Sequence, residues 1–272
     1  MILPNHSVLD TSLLMRLMLH PYVLILFLFG SLLLAVEIGR RYGWRRGDRL
    51  RIDTQGATNL SAAIFALLGL FLAFCFSGAA ERYDLRRQLI VNEVTAANTV
   101  SAGIDLAPPA SQPALKAAMQ RYLRARIASD RPVTSIDEAV HAQRQVNKAQ
   151  TDLWRAAAAA YARPDAGDGV VDVLLPAVNS LNVATTNLTL SALMHPPSVI
   201  FYILIVLAWI SAFLAGIGMA DDKGRTWVHT LVFAAITATV IYVTIDIEFP
   251  RVGFIRIDGF EKAINALAPP TS

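Results

Sequence analysis

Four apolar stretches, at residues 22–38, 56–80, 198–220 and 227–245, constrain this chain more than any other feature. A helix needs roughly 20 apolar residues to cross a hydrocarbon core about 30 Å thick. Three of the stretches are long enough alone. The first has 17 residues and is lengthened backwards by Leu17, Met18 and Leu19. Inside a bilayer the backbone must pair its own N–H and C=O groups, so apolar runs of this length are helices. They are too long, and alternate too little, to be barrel strands.

Composition agrees with this reading. Of 272 residues 54% are hydrophobic and only 17% charged, against about 25% charged in soluble domains. The formal charge of +3 gives no reason to expect nucleic acid, because the arginines gather at the span edges. One cysteine, Cys75, lies inside the second span, so an internal disulfide is impossible. Residues 22–38 are followed by Gly39-Arg40-Arg41, not by a small-residue cleavage site, so the first span is expected to be retained.

The expected fold class is an all-α integral membrane protein: four transmembrane helices in two hairpins, with a central helical extramembrane domain. Residues 1–55 hold a lead-in, the first span and a basic loop; 56–80 are the second span. Residues 81–197 are the helical domain, 198–249 the third and fourth spans, and 250–272 a tail. From residue 56 through 104 there is no proline, so the second span should run on as one rod about 70 Å long. Pro108-Pro109 ends it. Ser111 or Gln112 then starts a helix to Ile127, with Pro113 in its first turn. Thr134 or Ser135 starts another to Arg163, and Asp168 or Asp172 a third to Met194, kinked at Pro176.

Orientation is finely balanced. Loops 39–55 and 221–226 carry eight Lys and Arg; the opposite span edges and the tail carry seven. Cations in short loops favour the cytoplasm, which leans towards a non-cytoplasmic central domain.

Three groups of residues stand out. Asn59, Ala62, Ala66, Gly69, Ala73, Ser77, Ala80 and Asp84 form a small or polar stripe on the second span, with bulky Leu70 and Phe74 beside it. Such a stripe either lets helices approach closely or lines a pore between subunits. The pore reading makes Ala66, Gly69, Leu70, Ala73, Phe74 and Ser77 its lining. The third span repeats the spacing at Ala208, Ala212, Gly216 and Ala220, which reads as packing. Just beyond the second span, Arg82, Asp84, Arg86 and Arg87 form a charged mouth in the pore reading and a solvated helix entry otherwise. Glu37, Asp246, Glu248 and Arg251 are ionisable groups at span ends, where pairing or snorkelling suffices.

No catalytic residues, cofactor or metal site are expected. The five histidines lack ligand spacing, and neither a phosphate-cradling glycine loop nor a nucleophile elbow occurs. An alanine-rich chain that favours Arg over Lys suggests a bacterial inner membrane.

Two stretches carry a resemblance. The first is Leu67-Leu68-Gly69-Leu70-Phe71-Leu72-Ala73-Phe74 followed by Arg82-Tyr83-Asp84-Leu85-Arg86-Arg87-Gln88-Leu89-Ile90-Val91-Asn92-Glu93. The second is Asp246-Ile247-Glu248-Phe249-Pro250-Arg251-Val252-Gly253-Phe254-Ile255-Arg256. Together they resemble the bestrophin-like membrane proteins, and more remotely the bestrophin anion channels. The resemblance implies a homo-oligomer whose second span lines a central path for small anions, with Leu70 and Phe74 at its neck. Gly78 falls on or beside the third neck position, where bestrophins carry a bulky residue. Bestrophins also hold their central domain in the cytoplasm, against the lean of the loop charges. A non-conducting membrane sensor or scaffold, whose helical domain binds a partner, is the alternative.

Overall fold

The structure, a computed structural model, describes residues 21–46, 54–131, 136–164, 170–191, 194, 196–220 and 227–248. Seven α-helices follow one another: α1 (Pro21–Arg46), α2 (Thr54–Asp105), α3 (Gln112–Ser129), α4 (Ile136–Tyr161), α5 (Leu175–Ser191), α6 (Val199–Gly218) and α7 (Trp227–Glu248). A π-turn, Val170–Leu174, leads into α5. Four helices are long and apolar enough to cross a membrane: α1, α2, α6 and α7. The described residues are helical with no strand, as the apolar runs require.

The chain divides into two compact units. The first contains α1, α2 up to Tyr83, α6 and α7; the second contains α2 from Asp84, α3, α4 and α5. Helix α2 is unbroken over its 52 residues, about 78 Å at 1.5 Å per residue.

The core of the first unit starts from a four-residue repeat on α1. Leu24, Leu28, Leu32 and Val36 are buried against Leu204, Ala208 and Ala212 of α6 and Ala234, Ala238, Ile241 and Ile245 of α7. Further along, backbone comes against backbone in the α1–α6 contact. A Cβ on Gly39 would overlap the Phe213 carbonyl, and one on Gly216 would overlap the Val36 carbonyl. A Cβ on Gly43 would lie 2.6 Å from that of Ala220. Gly39 thus meets the backbone of Phe213, Gly43 meets Ala220 and Ile217, and Gly216 meets the backbone of Val36 and Arg40, a small-residue contact of the kind membrane helices use to approach closely. This is the packing expected of the α6 stripe, and it explains why α1 continues to Arg46. The close contact holds the segment after Ile38, and Glu37 pairs with Arg40 at 3.5 Å and Arg41 at 2.9 Å.

Matched contacts fix the directions of the helices. Trp209 Nε1 donates to Ser31 Oγ at 3.1 Å; together with Gly39–Phe213 this makes α1 and α6 parallel. Phe65 meets Phe233 edge-on at 6.1 Å, and Arg82 meets Glu248, so α2 and α7 are parallel too. Thr230 Oγ1 lies 3.7 Å from Met219 Sδ, which brings the start of α7 to the end of α6. Exposed Trp44 and Trp227 share that end, and exposed Tyr22 and Tyr202 the other. Aromatics at both ends of a bundle are what two water–lipid interfaces select.

In the second unit Ala97, Val100 and Ile104 of α2 are buried against three other segments. These supply Leu115, Ala118 and Met119 (α3), Val146, Leu153 and Ala157 (α4), and Leu174, Val178 and Leu181 beside and within α5. Pro108-Pro109 stops α2, and Gln112 Nε2 donates to the freed Ala107 carbonyl at 3.0 Å. Helix α3 begins after Ser111 as expected, with Pro113 near its start, and continues to Ser129. The π-turn runs without a gap into α5, so helical structure extends from Val170 to Ser191 and Pro176 sits where π geometry gives way to α geometry.

The glycine contact yields a direct test. Gly216→Val should destabilise the first unit by about 3 kcal/mol or more, because backbone cannot move aside as a side chain can. Gly30→Ala, where nothing lies within 4 Å, should be neutral or slightly stabilising. Thermal unfolding in mild detergent reads both, and equal midpoints would contradict the close α1–α6 contact.

Candidate ion path and the groups that frame it

The two sides of α2 differ. In the most apolar window of each span, 28% of residues are buried inside the chain for α1, 28% for α6 and 39% for α7, but only 6% for α2. Along the apolar part of α2 as a whole the buried positions are Leu68 and Ala79, with Ile64, Phe71, Leu72 and Cys75 half-buried. Ala66, Gly69, Leu70, Ala73, Phe74 and Ser77 are all exposed. At about 100° per residue these six centre on the side opposite Leu68, Cys75 and Ala79. Among the described residues, no other helix of the chain covers this stripe. Leu70 is 55% exposed and Phe74 67%, so the two bulkiest residues stand out from a face otherwise made of small ones.

The four charged residues beyond the span do not form one cluster. Asp84 and Arg87 are exposed and pair with each other at 3.6 Å. They continue the side of the small-residue stripe, together with exposed Glu81. Arg82 and Arg86 turn the other way, and Arg86 is buried. Arg82 Nε donates to Glu248 Oε2 at 2.7 Å, and Glu248 has no exposed surface. Gly78 lies beside this guanidinium, and a Cβ there would stand 3.3 Å from an Arg82 terminal nitrogen. A bulky residue at this position would occupy the space of the guanidinium.

Glu248 is ion-paired at the span end, and it is fully buried in the last turn of α7. Asp246 is buried as well and accepts from the Tyr242 hydroxyl at 3.0 Å. The burial of both has one cause: α7 runs three residues past 245, which carries the two carboxylates into helical packing. Glu37 pairs with Arg40 and Arg41, as its spacing suggested. Arg251 lies outside the described residues. Among those described, no three His, Cys, Asp or Glu side chains could hold a metal ion together.

Sequence reasoning missed a polar network inside the second unit. Glu93 of α2 is fully buried and accepts from Arg126 Nε at 2.9 and 3.1 Å and from the Tyr122 hydroxyl at 2.6 Å. Tyr122 Oη also lies 2.7 Å from Thr185 Oγ1 on α5. The terminal Nη1 of Arg126 donates to Ser129 Oγ at 2.7 Å and Asp130 Oδ1 at 3.1 Å. Burial and then the Glu93 carboxylate push the Tyr122 phenol far above its ordinary range, so it remains a donor. Burial alone would lower Arg126, but Glu93 and Asp130 outweigh it and hold the guanidinium above its usual value. One signal was present in the sequence. Glu93 shares the apolar face of Ile90, Val94 and Ala97, and a charge there must find a buried partner.

These features define a class: a helical membrane protein whose longest helix is shared by two units and leaves one small-residue side uncovered. The model of the bestrophin-like domain matches residues 28–259, and the chain belongs to that family. No curated protein and no solved structure matches it.

The network predicts unequal losses. Arg126→Met leaves Glu93 buried beside one hydroxyl and should cost about 3–5 kcal/mol. Glu93→Gln should cost less, because Arg126 keeps Ser129 and Asp130. Denaturant unfolding of the full chain distinguishes them, and equal costs would contradict the network.

A second test uses pH. The raised phenol of Tyr122 contributes stability that is whole below about pH 10, its unfolded value, and is lost as pH rises further. Above that pH the wild type should lose more stability than Tyr122→Phe. Parallel pH profiles would contradict the assignment.

Proposed function

We propose that the chain is a channel or transporter for small ions, built as a homo-oligomer in which each α2 turns its uncovered side to a shared axis. The observation that supports this reading is the two-sidedness of α2. Its packed side meets α6 and α7 through Leu68, Phe71 and Cys75, while Ala66, Gly69, Leu70, Ala73, Phe74 and Ser77 are left exposed. Leu70 and Phe74 form the narrow point of the path. Small anions are the cargo that bestrophin kinship suggests. With Arg82 and Arg86 on the packed side, Arg87 is the cation left to attract them, beside Glu81 and Asp84. No catalytic chemistry enters this reading, and an alanine- and arginine-rich chain suits a bacterial inner membrane.

A non-conducting sensor or scaffold is the second reading. It draws on α2 being common to both units, so that a partner bound by the helical unit would act on one continuous helix.

Reconstitution in liposomes separates the two. The channel reading expects ion flux that changes severalfold in Phe74→Ala and is unchanged in Ala158→Ser, an exposed position of α4. It also expects a mass of several subunits in mild detergent. A monomer, or the absence of flux with every common anion and cation, would favour the sensor.

A further inference from the structure

Helices α2 and α6 leave a groove between them inside the apolar part of the first unit. Leu67 and Phe71 form one wall, and Tyr202, Ile203, Val206 and Ile210 form the other. Its volume is about 520 Å³. We infer that this groove binds one acyl chain of a bilayer phospholipid, held along α6 with its head group near Tyr202.

Three observations support that occupant. Water does not suit the groove, because a bound water needs two to four polar partners and the walls are aliphatic and aromatic, with the Tyr202 phenol the one polar group among those six. The size suits a hydrocarbon chain: a cavity of about 150 Å³ holds a benzene, so about 520 Å³ corresponds to roughly twenty carbons. The lining opposes a second copy of the chain. Membrane helices meet through small residues, and the stripe residues Ala66, Gly69, Ala73 and Ser77 lie about 80–160° round the helix from Leu67 and Phe71. Tyr202 sits in the first turn of α6, just after Pro196-Pro197. An amphipathic ring at a span end belongs at head-group level. The inference holds whether or not the chain conducts.

The test uses full-length protein in phosphatidylglycerol vesicles containing a phosphatidylglycerol with a photoactivatable diazirine in one acyl chain. Adducts mapped by peptide mass spectrometry should concentrate on Leu67, Phe71, Ile203 and Val206. The plainly exposed α7 residues Val228, Val232 and Ile236 should carry fewer. Val206→Trp, which adds seven non-hydrogen atoms to the groove wall, should cut the groove adducts by about tenfold or more and leave those on α7 unchanged. Adducts spread evenly over both surfaces would overturn the inference, since bulk lipid alone would explain them. It would also be overturned if Val206→Cys, in a Cys75→Ala background, cross-linked copy to copy on oxidation. The wild-type adduct map decides the question even if Val206→Trp fails to fold.

Discussion

The ion pair between Arg82 and Glu248 sets which side of α2 faces inward. Along the apolar part of α2, contact with the rest of its unit is sparse. Leu68 and Ala79 are buried, Phe65 meets Phe233 edge-on, and about 25 Å further along the helix Arg82 reaches Glu248. A helix held at two distant points by α7 cannot rotate freely about its axis. Its opposite side, with Ala66, Gly69, Ala73 and Ser77, is therefore fixed outward. Gly78 lies against the guanidinium, and a Cβ there would stand 3.3 Å from its terminal nitrogen.

The two pairs of parallel helices are held in different ways. Helices α1 and α6 meet through glycine and alanine, so that backbone lies against backbone and dispersion contacts are dense. Helices α2 and α7 are joined by an aromatic contact and a charge pair, with Leu68, Phe71 and Cys75 packed in the same cluster between them, and the rest of the apolar surface of α2 is left open. The same sparse contact accounts for two features of the first unit. It leaves the small-residue side uncovered, and it opens the groove walled by Phe71 and Val206. In the second unit, Glu93 joins α2 to Arg126 and Tyr122 of α3, and through Tyr122 to Thr185 of α5. A buried carboxylate satisfied by a guanidinium and a phenol fixes the register of three helices more strictly than aliphatic packing alone.

Much of the fold was legible because its signals are local. Apolar runs gave the four spans, the absence of proline gave the long α2, and Pro108-Pro109 gave its end. The small-residue spacing on α6 was read correctly as packing because four-residue periodicity survives in any helix. Its partner was missed: Gly39 and Gly43 sit among arginines, where a span seemed to have ended. Contacts across the chain were not legible. Arg82 and Glu248 are 166 residues apart, and nothing near either marks the other. Arg82, Asp84, Arg86 and Arg87 looked like one cluster because they are neighbours in sequence, yet a helix distributes them to two sides. Glu93 stood on an apolar face, a cue that periodicity alone could have supplied.

The central claim is that the small-residue side of α2 faces water rather than lipid. Single cysteines at Ala66, Gly69, Ala73 and Ser77, in a Cys75→Ala background and in vesicles, can be challenged with a water-soluble thiol reagent. The account predicts that these positions react and that cysteines at Leu68 and Leu72 do not. If all six positions remain unmodified while a membrane-soluble maleimide labels the first four, that side of α2 lies in lipid and the conduit is contradicted.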